Sequence, residues 1–171
     1  MLRIALVGHS QLPTSIDVPG TEIEIFRAPG GKALNFFEDD RLNEVLNWRG
    51  DLIILWIGSN DITVDTDVVR LRNEIVKIKQ TVESRCQAQI IFVLLEPRQY
   101  NNHYPVGWEQ YNKIQNSINK FLIKKLPLTR FLQFNTSKFQ TLLSQDGVHF
   151  NGEGKQLVIQ KIKQAVSEYV N

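Results

Sequence analysis

Asp51-Leu52-Ile53-Ile54-Leu55-Trp56-Ile57-Gly58-Ser59-Asn60-Asp61 is the stretch on which the fold turns. From Leu52 to Ile57 no polar residue interrupts the run, so a strand made of it must be covered on both faces. Such a strand belongs in the middle of a parallel sheet with helices on either side. At its carboxyl end the chain turns abruptly to Gly58, Ser59, Asn60 and Asp61. In an open parallel sheet, that is the end where ligands bind.

Working outward, four further apolar runs read as strands: Leu2 to Val7, Glu22 to Arg27, Ile90 to Leu95 and Arg130 to Phe134. Between them the apolar spacing changes to three and four residues. Val68, Leu71, Ile75, Ile78 and Val82 share one helical face, with Arg70, Arg72, Glu74, Lys77 and Lys79 on the others. A second such pattern runs from about Trp108 to Lys125 and ends before Pro127, and a third closes the chain through Val158, Ile162, Ala165, Val166 and Tyr169. Strand and helix alternate, which predicts an α/β fold: a three-layer sandwich around a five-stranded parallel sheet.

The chain has 171 residues and 42% hydrophobic content, which fits one domain over 1–171 with a real core and no apolar stretch long enough to span a bilayer. The formal charge of +2 gives no case for nucleic acid or an anionic membrane as an obligatory partner. A single cysteine, Cys86, cannot form an internal disulfide, and the N-terminal run lacks the marks of a signal peptide. A reducing, intracellular and cytoplasmic setting is the expectation. A domain excised from a longer polypeptide is equally compatible.

The chemistry-bearing residues lie at strand ends and near the C-terminus. Asp146-Gly147-Val148-His149-Phe150-Asn151 sets a carboxylate and an imidazole three residues apart, and Gly8-His9-Ser10 leaves a hydroxyl at the end of the first strand. Ser, His and Asp suffice for nucleophilic catalysis: the imidazole takes the hydroxyl proton, and the carboxylate holds its tautomer and stabilises the imidazolium. Ala28-Pro29-Gly30-Gly31-Lys32 follows the second strand and Gly58-Ser59-Asn60-Asp61 the third. Glycine N–H groups and an Asn amide are suitable donors to a tetrahedral oxyanion.

In order and spacing these blocks resemble the SGNH, or GDSL-type, serine hydrolases over nearly the whole chain. That resemblance implies a flavodoxin-like SGNH hydrolase fold, Ser10 as nucleophile, His149 as base and then acid, and Asp146 as its orienter. It implies an oxyanion hole of the Ser10 amide, the Gly30 amide and the Asn60 side chain, with Gly31 as the rival glycine. No metal or cofactor is called for. Within the family the phrasing is similar to the esterase domain in the first open-reading-frame protein of some non-LTR retrotransposons. This implies short acyl or lipid esters as substrates, a possible membrane surface as partner, and nucleic acid only as part of a retroelement protein. The alternative is an SGNH-like module that binds RNA or membrane with incidental turnover.

One block departs from the family pattern, because His9 stands where the usual residue is Asp. Triad logic gives this position no role, so His9 is expected to point away from the chemistry; the other reading has it touch substrate or shift the site's pKa. Asp61 is expected to serve structure, and His103 to be a solvated loop residue. Glu38, Asp39 and Asp40 diverge around a helix face and make no metal cluster, and Cys86 lacks activating neighbours in sequence. Lys113, Lys120, Lys124, Lys125 and Arg130 read as solvated surface. The stretch from Glu96 to Gly107, with Pro97, Tyr100, His103, Tyr104 and Pro105 and followed by Trp108, reads equally as a pocket-lining loop or a plain crossover.

Overall fold

The computed structural model describes residues 1–99, 107–134 and 139–170. Its strands are β1 (Leu2–Gly8), β2 (Thr21–Arg27), β3 (Leu52–Trp56), β4 (Gln89–Val93) and β5 (Arg130–Leu132). Its helices are α1 (Val68–Cys86), α2 (Trp108–Lys125) and α3 (Gly152–Val170). The sheet has the order β2-β1-β3-β4-β5, and every neighbouring pair is parallel.

β3 lies in the centre and every one of its residues is buried. Its two parities feed two separate cores. Ile53 and Leu55 pack with Leu71, Ile75, Ile78 and Val82 of α1 and Ile118 and Leu122 of α2, whereas Leu52, Ile54 and Trp56 pack with Val158, Ile162, Ala165 and Val166 of α3. Helices therefore cover both faces, as an uninterrupted apolar strand requires.

β1 and β3 approach closely at the site end. A Cβ on Gly8 would lie 2.1 Å from the Trp56 carbonyl oxygen, so only glycine fits where β1 stops. The ladder is shorter than the apolar runs suggest at β3, β4 and β5, which end at Trp56, Val93 and Leu132. Ile57, Leu94, Leu95 and Phe134 beyond them stay buried, and the Leu94 N–H still donates to the Leu132 carbonyl of β5 at 2.9 Å, but at Leu95 the backbone has other partners. The Leu95 N–H donates to Asn119 Oδ1 at 2.9 Å, and its carbonyl accepts from Gln115 Nε2 and Asn119 Nδ2 at 2.5 and 2.9 Å. Side chains of α2 thus end β4, a reason that apolar periodicity does not contain.

α1 starts at Asp67, whose carboxylate accepts from the Arg70 N–H, and stops at Gln87, which takes the left-handed conformation at φ 54°. Among the described residues no helix is long and apolar enough to cross a membrane. Tyr100, His103, Tyr104 and Pro105 lie outside the described residues.

Candidate active site

The Ser10 turn follows directly from the end of β1. Ser10 is half-buried, and Arg27 at the end of β2 clamps the turn from below, with its Nε donating to the Leu12 carbonyl and an NH2 to the Ser10 carbonyl, both at 3.1 Å. Asp146 and His149 sit on a tight loop closed by an antiparallel bridge between Leu143 and Phe150 and by Ser144 N–H donating to the His149 carbonyl at 2.7 Å. Gly147 adopts φ 67° at its tip, a conformation that glycine takes without steric cost. Beneath the loop, Phe150 packs on Phe134, Phe139 and Trp56, which fixes the loop to the core. Asn151 then starts α3 by accepting the Gly154 N–H, while its amide donates to the Thr141 and Leu143 carbonyls.

The turn and the loop meet. Ser10 Oγ lies 3.4 Å from His149 Nε2, and His149 Nδ1 lies 2.6 Å from Asp146 Oδ2. The first distance is long for a hydrogen bond, as is common before substrate binds; the second is a short, charge-assisted one. Partial burial alone would raise the pKa of Asp146, but hydrogen bonds from His149, the Val148 and His149 backbone and Ser144 outweigh it and hold the carboxyl well below its ordinary value. Asp146 is therefore a carboxylate throughout the neutral range, oriented to fix the Nδ1–H tautomer.

What brings the turn and the loop into register is Gln11, which is only 8% exposed. Its Nε2 donates to the Val148 carbonyl at 2.6 Å and its Oε1 accepts the Phe150 N–H at 3.3 Å. The residue next to Ser10 thus grips the backbone on both sides of His149. Sequence reading did not single out Gln11; a polar residue following a turn carries no signal of a partner 137 positions away.

The two glycines differ in a way that sequence left open. The Gly31 N–H donates to the Ala28 carbonyl at 2.8 Å, and a Cβ there would lie 2.8 Å from that same oxygen, so Gly31 is the tight-turn residue. Gly30 is exposed, with φ 74° and open space around its Cβ position. Asn60 Nδ2 donates to the Gly31 carbonyl at 3.2 Å, leaving the second hydrogen of that amide, so the glycine and Asn60 turns are joined. Asp61 strengthens the junction, with its Oδ2 accepting from the Ala33 N–H at 2.7 Å and its Oδ1 from the Leu34 N–H at 2.9 Å. Burial raises its pKa against the lowering effect of those bonds. The structural role expected of Asp61 is the one these bonds describe.

His9 points inward, away from solvent, at 1% exposure. It is also more than a tolerated neighbour. Its Nε2 is 2.9 Å from Ser59 Oγ and 3.8 Å from Glu96 Oε1, and its ring meets Trp56 edge-on at 5.5 Å. Glu96 in turn accepts Trp56 Nε1–H at 2.9 Å. Burial pushes the imidazole below its ordinary pKa, Glu96 opposes this, and Arg98, His149 and Arg27 add to it. Arg98, 4% exposed, stacks on Tyr111 at 4.3 Å and donates to the Asn60 Oδ1 at 3.3 Å and the Ser59 carbonyl at 3.4 Å. Glu96 and Arg98 are neighbours of the candidate site that the sequence showed only as members of a long loop.

The other candidates stay apart. Asp39 caps its own turn by accepting from the Arg41 and Leu42 N–H groups. Cys86 is buried against the Val45 carbonyl, and burial raises its thiol pKa. Among the described residues no group of His, Cys, Asp or Glu could hold a metal ion.

A model of the GDSL-like lipase/acylhydrolase family matches residues 14–157, beginning just past the Gly8-His9-Ser10 block that departs from the family pattern. Among solved structures, a carbohydrate esterase of family 3 from Talaromyces cellulolyticus is 12% identical with a TM-score of 0.75, covering 99% of this chain and 98% of its own. A lipase/acylhydrolase from Enterococcus faecalis is 16% identical with a TM-score of 0.69 over 99% and 97%. A psychrotrophic esterase from Pseudoalteromonas sp. is 13% identical with a TM-score of 0.69 over 100% of both chains. At such identities the likeness establishes the fold. No curated protein matches the sequence. None of these three structures is described as a retrotransposon protein, and that finer similarity of phrasing finds no support here.

Proposed function

The chain belongs to the GDSL-like lipase/acylhydrolase family, and on that premise we propose that it is a serine esterase that cleaves carboxylic esters of short acyl groups through an acyl-enzyme on Ser10. The observation that carries the reading is the continuous path from Ser10 Oγ to His149 Nε2 at 3.4 Å and from His149 Nδ1 to Asp146 at 2.6 Å.

In the proposed reaction Ser10 Oγ attacks the ester carbonyl carbon while His149 Nε2 takes its proton. Charge passes to the carbonyl oxygen, which the N–H groups of Ser10 and Gly30 and the Asn60 amide receive. Asp146 stabilises the imidazolium without itself taking the proton. His149 then gives the proton to the departing alkoxide, the C–O bond breaks, and the acyl group remains on Ser10. Water, deprotonated by His149, attacks the acyl-enzyme; the tetrahedral intermediate collapses to free carboxylic acid and restores the hydroxyl. Gly30 takes the oxyanion role rather than Gly31, whose N–H already donates to Ala28.

The test is hydrolysis of para-nitrophenyl acetate by the wild type and by Ser10→Ala. A loss of about 10³-fold or more in kcat supports the reading, because triad and nucleophile act as one unit. Equal rates refute it.

A further inference from the structure

A cleft of about 520 Å³ opens beside Ser10, between the turn after β1 and the first turns of α3. Its size falls in the range of small-molecule sites. A larger cavity of about 770 Å³ lies at the amino ends of β4 and β5; Arg130 there is paired with Glu168, and neither Ser10 nor His149 lines it.

The cleft's place relative to the reacting atoms decides which half of an ester it receives. Ser10 and His149 both line it, whereas Gly30 and Asn60 do not. The carbonyl oxygen must face the glycine and Asn60 turns, and the leaving oxygen must reach His149 Nε2 to be protonated. A cleft on the His149 side therefore takes the alcohol.

Its charge decides what sort of alcohol. Arg27 and Lys155 line the walls, and among the described lining residues there is no carboxylate. The two bonds that Arg27 gives to the Leu12 and Ser10 carbonyls hold its charge in place, and the planar fork has further N–H groups for a ligand oxygen. Lys155 is exposed on the opposite wall. Leu12, Val158 and Ile159 supply apolar surface between them.

We propose that this cleft selects esters of small alcohols that carry an anionic group, such as a carboxylate, sulfate or phosphate, with Arg27 and Lys155 as the recognising cations. The proposal rests on the esterase reading above. The test compares two acetate esters, para-acetoxybenzenesulfonate, which is anionic, and para-acetoxybenzenesulfonamide, which is neutral and has the somewhat better leaving group, each rate being divided by that ester's rate of hydroxide hydrolysis. At low ionic strength kcat/KM favours the sulfonate about five- to tenfold, and the preference lies in KM because the cations hold the alcohol before and during reaction alike. It shrinks with added salt, falls by about half or more in Lys155→Gln, where Arg27 remains, and is lost in Lys155→Glu, where the new carboxylate offsets Arg27. Ser10-dependent turnover with no preference for the sulfonate, or a preference that Lys155→Glu leaves intact, overturns this proposal alone. Turnover of neither ester overturns it together with the esterase reading.

Discussion

Replacing Gln11 by Leu removes a side chain that ties the Ser10 turn to the backbone on both sides of His149. Leucine has a similar volume although it reaches one bond less far, so the loss is mainly of hydrogen bonds rather than packing. Two partners are stranded: the Val148 carbonyl, now served at 2.6 Å, and the Phe150 N–H, now served at 3.3 Å. A buried polar group left unpaired costs about 1–3 kcal/mol, and the longer bond contributes at the low end, so the variant should lose about 2–4 kcal/mol of stability. The catalytic effect is separate. Ser10 Oγ and His149 Nε2 are already 3.4 Å apart, and a misplacement of about 1 Å costs on the order of 10²-fold, so kcat should fall about 10- to 100-fold with KM little changed. Urea titration gives the first quantity and para-nitrophenyl acetate kinetics on still-folded protein the second. A variant with wild-type kcat would refute the idea that Gln11 sets the Ser10–His149 geometry, even if stability fell.

Further outcomes follow from other contacts. Arg98→Met should lower kcat about 10- to 100-fold with little change in KM, because the Asn60 amide loses the donor that orients it, and Arg98→Lys should restore part of the loss. For His9 the folded pKa lies below the ordinary 6.5, so the unfolded chain binds a proton that the folded chain refuses; stability is full at neutral pH and falls as pH drops through about 6.5. The urea midpoint should therefore fall between about pH 7.5 and pH 5.5, and fall less in His9→Gln. Gly8→Ala drives a Cβ to within 2.1 Å of the Trp56 carbonyl, and a loss of about 3 kcal/mol or more should show as insoluble or unfolded protein on expression.

The sheet was legible because burial on both faces leaves so plain a mark. Leu52 to Ile57 could only be an interior strand, and the helix-spaced residues from Val68 to Val82 could only lie on one side of it. Strand ends were less legible, since Leu94 and Leu95 are as apolar as the ladder and only Gln115 and Asn119 of α2 reveal where it stops. At the site, Ser10, Gly30, Asn60, Asp146 and His149 stood out because each follows a strand or turn where chemistry is expected. Gln11, Glu96 and Arg98 did not, since their partners lie far along the chain and a polar loop residue looks the same whether it faces water or the core. His9 shows the same limit: its inward orientation depends on Ser59, Trp56 and Glu96 converging on one spot.

The central claim, that Ser10 is a nucleophile activated by His149, is tested most directly by covalent labelling with a fluorophosphonate, read by intact mass and peptide mapping. The account predicts one adduct per chain, located on Ser10, absent in Ser10→Ala and formed far more slowly in His149→Ala. Failure of the wild type to label, or an adduct on any other residue, would contradict it.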